Sequence, residues 1–228
     1  MLILPSALLS AGSGKVGGVV MARNAGGDYL RRWVKPPDPG SALQLLERTY
    51  MGQLQAQFAG LSAAVRTAWA TFAAQMPITN RLGATIHISG QNWFIKCNSL
   101  RLQAGVAAIT AAPTIFESVA LTLPVPTVTA SSTTCSLAFT NTDAWATEAG
   151  GYLLVFAGLP LNPTRGYYGG PYRYCGKVTG ATPTAPTTPQ SITLPWTAGA
   201  AGSKMGFRFI AIRADGRVSM PFRILCTV

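Results

Sequence analysis

The groups that can do chemistry in this chain are few and far apart. A single histidine, His87, is the whole imidazole supply, so any Ser-His-Asp or Cys-His arrangement has to use it. It stands between Ile86 and Ile88 in an apolar, strand-like run, with no nucleophile or orienting carboxylate at recognisable spacing, and it reads as a structural residue. The carboxylates Asp28, Asp38, Glu47, Glu117, Asp143, Glu148 and Asp215 form no DxD or ExxH pair, which speaks against metal-assisted or paired-carboxylate hydrolysis. Asp143 and Glu148 can meet across a loop, but beside Gly150 and Gly151 they read as solvated turn residues. Cys97, Cys135, Cys175 and Cys226 are widely spaced with no CxxC pair, against a zinc ribbon or a thioredoxin-like site. They read mostly as buried thiols, with a Cys135 to Cys226 disulfide left open. Gly14-Lys15 suggests a phosphate-binding loop, yet Leu9 stands where the loop needs glycine and Val16 where it needs the magnesium-binding Ser or Thr. No catalytic residue, metal or cofactor is expected.

Two groups of residues suit binding instead. The first is a basic, glycine-spaced arm over residues 12–39, where Lys15, Arg23, Arg31, Arg32 and Lys35 face only Asp28 and Asp38. With Tyr29 and Trp33 interleaved, these cations suit an acidic partner, either a protein surface or a phosphate backbone. A solvated basic loop is the plainer alternative. No helix-turn-helix, zinc finger or RNP-type strand accompanies them, so contact with DNA is expected to be without sequence reading. The second is Tyr167, Tyr168, Tyr172 and Tyr174 around Gly166, Gly169, Gly170 and Pro171. Such a cluster forms a binding tip or subunit contact, or else a tyrosine-rich hairpin packed on its own sheet.

The elements that position these residues follow from pattern. Val16, Val19 and Val20, then Tyr29 to Val34, read as a ribbon of two short strands joined by Asn24-Ala25-Gly26-Gly27. A lone ribbon is marginal in water, so it is expected to lie against another part of the molecule or another subunit. Pro36, Pro37 and Pro39 end it. Ser41 and Gln44 have capping-box spacing before an apolar series Leu43, Leu46, Tyr50, Leu54, Phe58 and Leu61, stopped by Gly60. Ser62 caps a second helix with Val65, Trp69, Phe72 and Met76 on one face, ended by Pro77. Residues 78–88 read as irregular or extended. Ser89 starts a third helix through Trp93, Cys97, Leu100 and Ala104, closed by Gly105. Beyond residue 106 the texture changes to β-prone runs at Ala120–Leu123, Thr127–Ala130, Cys135–Thr140, Gly151–Ala157, Tyr172–Val178, Ser191–Leu194, Lys204–Arg213 and Pro221–Thr227, a series that describes a β-sandwich. The expected organisation is α+β: an arm over 1–40, a small three-helix unit over 41–105 and an antiparallel β-sandwich over 106–228.

Composition bounds the setting. Eighteen Lys and Arg against seven Asp and Glu give +11, yet only 11% of residues are charged, and there are 24 glycines and 16 prolines. A surface so poor in charge is prone to associate, so much of it is expected to be covered by neighbours in an assembly. Met1 to Leu9 is apolar but lacks a basic region, is broken by Pro5 and is too short to span a bilayer, so neither signal peptide nor membrane anchor is expected.

Taken in order, GKVGGVVMARNAGGDYLRR, the proline break, ALQLLERTYMGQL, AVRTAWATFA and ISGQNWFIKCNSLRLQAG resemble a set of uncharacterised proteins encoded in bacteriophage and prophage genomes, over about residues 12–105. YLLVFAG, KMGFRFIAIRADGRVS and PFRILCTV resemble the strands of a fibronectin type III or immunoglobulin-like module. The resemblance implies a non-enzymatic virion structural protein, in the capsid, its connector or the tail. Its partners would be copies of itself and other virion proteins, with non-specific contact to packaged DNA. The competing readings are a DNA-associated protein that contacts phosphates through the arm, and a receptor- or carbohydrate-binding module that uses the tyrosines.

Overall fold

The computed structural model describes residues 13–24, 27–35, 38, 40–80 and 82–228. The chain is mixed α+β and divides into two compact units, residues 1–96 with 110–116 and residues 97–109 with 117–228.

The first unit opens with strands β1 (Gly14–Val16), β2 (Val19–Asn24) and β3 (Gly27–Arg32), paired antiparallel in that order. The ribbon thus has three strands where two were expected. Val16 pairs with Val19, leaving Gly17-Gly18 as a two-residue turn, and Gly17 takes a φ of +55° that a side chain resists. The apolar run from Tyr29 leaves the ladder after Arg32, although the Trp33 amide still donates to the Gly18 carbonyl at 2.7 Å. Of the expected joining turn, Ala25 and Gly26 lie outside the described residues, as do Met1 to Leu9, Pro36, Pro37 and Pro39.

Helix α1 (Ala42–Ala59) begins where the Ser41 hydroxyl accepts from the Gln44 amide at 3.4 Å, and the Arg48 guanidinium reaches back to both Asp38 oxygens at 3.1 Å. Ser62 caps α2 (Ala63–Gln75) in the same way through the Val65 amide. The connection expected to be irregular or extended holds a small hairpin, β4 (Ile78–Thr79) with β5 (Thr85–Ile86), whose turn is tied by Asn80 Oδ1 accepting from the Leu82 and Ala84 amides. Ser89 Oγ accepts from the Asn92 amide at the start of α3 (Gly90–Gln103), and the boundary between the units falls inside this helix.

Aromatic side chains make the first unit's core. Phe94 of α3 meets Phe58 of α1 and Trp69 of α2, both at 5.4 Å between ring centroids, and Phe72 meets Trp93 at 5.3 Å. Gly90 sits so close to α2 that a Cβ there would lie 2.8 Å from the Trp69 carbonyl carbon and the Ala70 nitrogen, so only glycine permits this approach. The α1 stripe is not the continuous core face its spacing suggests. Leu54 is fully buried and Phe58 partly, but Leu43, Leu45, Leu46 and Met51 are exposed. Apolar periodicity marks a face and does not say whether the same chain covers it.

In the second unit, β6 (Val125–Val128), β7 (Thr134–Ala138) and β10 (Gln190–Thr193) form a three-stranded sheet in the order β10-β7-β6. Strands β8 (Tyr152–Leu161), β9 (Arg173–Thr179), β11 (Lys204–Ile212) and β12 (Phe222–Thr227) form a four-stranded sheet in the order β12-β11-β8-β9. All pairings in both are antiparallel. The expected strand at Ala120–Leu123 is absent: the segment joins no ladder, and the pairing beside it is an isolated bridge between Val119 and Ser219. Inward side chains of both sheets, among them Cys135, Leu137, Val155, Met205, Phe207 and Phe209, join Trp145 in one core. The outer face of the four-stranded sheet is apolar too: Leu154, Phe156, Ile210 and Ile212 pack with Leu100, Ala104 and Val106. This is the two-sided pattern of β11, and it explains why the strand reads as nearly continuous apolar sequence. No helix among the described residues is long and apolar enough to cross a membrane.

Glu148 and Asp143 are structural rather than solvated. Glu148 accepts from Arg213 Nε at 2.6 Å, from Arg213 Nη2 at 3.0 Å and from the Ala214 amide at 2.9 Å, while Asp143 accepts from the Thr122 amide and hydroxyl. Because the Arg213 pair is bidentate and three-quarters shielded, Glu148→Gln is expected to lower the second unit's stability by about 1–3 kcal/mol, read from urea melts.

The four cysteines are free thiols, so the Cys135 to Cys226 disulfide does not form. Burial pushes the Cys135 and Cys175 thiols up to about 12 and that of Cys226 to about 11, from 9.0. A raised thiol pKa favours the protonated form in the fold. The resulting stability is intact below about pH 9 and is lost as pH climbs toward 11 to 12. Urea melts between about pH 8 and 10.5 are expected to show that decline, reduced in a Cys135→Ala, Cys226→Ala double variant; an identical decline in both proteins would contradict it.

Candidate functional site

Among the described residues no three His, Cys, Asp or Glu side chains come together as a metal site requires. His87 faces the first unit's own chain, its Nδ1 lying 3.3 Å from the Ala73 carbonyl.

The arm residues are positioned by ladder register. Directly opposite residues share a face, so Lys15, Val20 and Arg31 lie in one row and Ala22 with Tyr29 in another on the same side. The other side carries Val16, Val19 and Arg32, then Met21 with Leu30, then Arg23 with Asp28. Lys15 Nζ stands 4.0 Å over the Trp33 ring, and Arg23 lies 3.6 Å from Asp28. Arg31 and Arg32, neighbours in the chain, therefore point to opposite sides, and the arm's cations form no single basic face. Lys35 follows the last strand, exposed. No described residue before Leu54 is buried, which leaves a three-stranded sheet and two turns of α1 with open apolar side chains: Val16, Val19, Trp33 and Val34, then Leu43, Leu45, Leu46 and Met51.

The tyrosines sit on the loop from β8 to β9. Asn162 starts it, its Oδ1 accepting from the Thr164 amide and hydroxyl. The Tyr168 ring then lies against the outer face of the four-stranded sheet, at Gly158 of β8 and Gly206 of β11, where any Cβ would occupy the ring's place. Its hydroxyl donates to the Pro171 carbonyl at 2.6 Å and accepts from the Leu159 amide at 3.3 Å. The Tyr172 hydroxyl donates to the Tyr168 carbonyl at 2.9 Å, and the two rings meet edge to face at 5.0 Å. Tyr174 packs on Phe156. Burial raises the pKa of both Tyr172 and Tyr174. Tyr167 alone of the four projects, 69% exposed.

Three of the four tyrosines thus pack on their own sheet, and beside them a cleft of about 310 Å³ opens between Tyr167, Tyr168 and Tyr172 and the edge strand β12 at Arg223 to Leu225. Sequence reading missed Arg208 and Arg223, which the register of β11 and β12 brings directly opposite one another on this outer face. The one available signal was an arginine within the two-sided run KMGFRFIAI. Arg208 lies over Phe156 at 4.2 Å and Tyr172 at 5.5 Å, and its pKa is lowered, first by burial and then by Arg223.

No family model, curated protein or solved structure matches this chain.

Proposed function

We propose that this chain is a non-enzymatic structural component of a bacteriophage particle, joined to copies of itself and to other virion proteins through the arm and the first turns of α1. The observation that carries the reading is the first unit's entry segment: a sheet and the first turns of α1 with open apolar side chains, and no buried residue before Leu54 among those described. Such a surface is unfavourable in water and is covered in an assembly. The order of elements that resembles phage-encoded proteins, together with the low charge of the whole chain, supports a virion setting.

The second unit is read as a fibronectin type III-like sandwich appended to this docking part. Its supports are the division into three and four strands, the orders β10-β7-β6 and β12-β11-β8-β9, and the single core between the sheets. A DNA-associated role is the weaker alternative, because Lys15 is engaged by Trp33, Arg23 neighbours Asp28, and Arg31 and Arg32 point to opposite sides. A phosphate-tracking surface needs its cations on one side. Peptide mass spectrometry of purified particles, with copy number, tests the proposal: a fixed, symmetry-compatible copy number is expected, and absence from the particle refutes it.

A further inference from the structure

We propose that the cleft between the tyrosine loop and β12 binds an acidic sugar, with the pyranose ring against Tyr167 and Tyr168 and its carboxylate on Arg223.

Electrostatics carries the first half of this inference. Arg208 and Arg223 are directly opposed across an antiparallel pair, an arrangement that is unfavourable unless a negative charge joins them. Among the described residues no carboxylate pairs with either. In this unit Glu148 is held by Arg213, Asp215 by Arg217 and Asp143 by Thr122, while Glu117 is exposed. The guanidinium of Arg208 has aromatic rings near its faces but keeps a buried Nε–H with no acceptor. A buried donor without a partner costs about 1–3 kcal/mol, and a second, like charge beside it adds to that. Arg223, exposed and lining the cleft, is the cation of this pair that a ligand reaches, and an anion there offsets the repulsion from Arg208 behind it.

The shape of the cleft carries the second half. At about 310 Å³ it admits one ring-sized group. The Tyr168 and Tyr172 hydroxyls are consumed by Pro171 and by the Tyr168 carbonyl, so what these residues offer a ligand is ring surface. Tyr167, 69% exposed, supplies a second ring at the mouth. A ligand matching this lining presents a flat apolar face together with one planar anion, and the fork of a guanidinium takes a carboxylate through two parallel hydrogen bonds. A uronic acid residue has that composition. An extended acidic peptide or a nucleic acid strand repeats its charge along the chain, beyond what a one-ring cleft can contact.

The test is calorimetric or NMR titration of the full chain with glucuronic acid, glucose, inorganic phosphate, a tetraglutamate peptide and a short single-stranded DNA. Glucuronic acid is expected to bind saturably with roughly millimolar affinity. Glucose is expected to bind about tenfold more weakly or less, and Arg223→Gln is expected to reduce glucuronate binding by about tenfold while leaving the melting temperature unchanged, since Arg223 is exposed. Tyr167→Ala, a substitution at the cleft's exposed mouth, is expected to weaken glucuronate several-fold, with little effect on phosphate. Unaltered glucuronate binding in Arg223→Gln and Tyr167→Ala would overturn the site, as would no saturation by any probe. Phosphate binding as tight as glucuronate, or tighter binding of the peptide or the DNA, would overturn the sugar assignment.

Discussion

Replacing Trp69 by alanine is expected to destabilise the first unit by about 3–5 kcal/mol, the loss typical of removing a large aromatic from a closed core. Trp69 has no exposed surface, meets Phe94 at 5.4 Å and Phe72 at 5.9 Å, and donates from Nε1 to the Thr110 carbonyl at 2.8 Å. The close approach of Gly90 to the Trp69 and Ala70 backbone fixes α2 against the start of α3 at this position. For a unit of this size such a loss is a large fraction of a typical stability of about 5–15 kcal/mol. Trp69→Phe separates the two contributions: it keeps much of the ring area but strands the Thr110 carbonyl, with an expected cost of about 1–3 kcal/mol. Near-UV circular dichroism during urea unfolding reads both. An unchanged melting temperature in Trp69→Ala combined with failed association would show the ring to be an interface residue, against the packing described here.

Deleting residues 1–36 is expected to leave the second unit's unfolding transition unchanged and to abolish incorporation into the oligomer or particle. The β-domain keeps its own core, while the truncation removes β1, β2, β3 and the apolar side chains of Val16, Val19, Trp33 and Val34. Normal incorporation of the truncated chain would refute the assembly role of the arm. A milder variant addresses how the arm docks. With Arg31 and Arg32 both changed to lysine the charge is kept and the planar fork is lost, so packing against carboxylates or carbonyls is expected to weaken, whereas a contact made by charge alone would survive. DNA retention that falls steeply between about 50 and 200 mM salt, with assembly intact in the double-lysine variant, would favour the phosphate-binding alternative.

Much of the architecture was legible because its signals are local. Ser41, Ser62 and Ser89 sit where helix starts need an oxygen, Pro77 and Gly105 stand where helices must stop, and each cap is formed. The alternation of Met205, Phe207, Phe209 and Ala211 with Gly206, Arg208, Ile210 and Ile212 marked a strand buried on both faces. The third arm strand was missed because three residues, Gly14 to Val16, are too few to show a period, and Gly17-Gly18 reads as spacing until a partner strand makes it a turn. Ala120–Leu123 was read as a strand from composition alone, and an extended segment without a pairing edge forms no ladder.

The sequence by itself therefore determined the three helices and most of the strands beyond residue 124, which side chains face inward along β11, and that imidazole, carboxylate and thiol groups are too dispersed for a recognisable catalytic set. Tertiary structure alone decided which apolar residues of α1 the chain covers, that Cys135 and Cys226 stay unbonded, that Tyr168 rests on Gly158 and Gly206, and that Arg208 faces Arg223. The physical reason is the range of the interactions. Caps, turns and side-chain alternation act over two to four residues and are written in neighbouring positions. Register and burial depend on pairings between strands and segments distant in the chain, where a slip of one residue exchanges every inward side chain for an outward one.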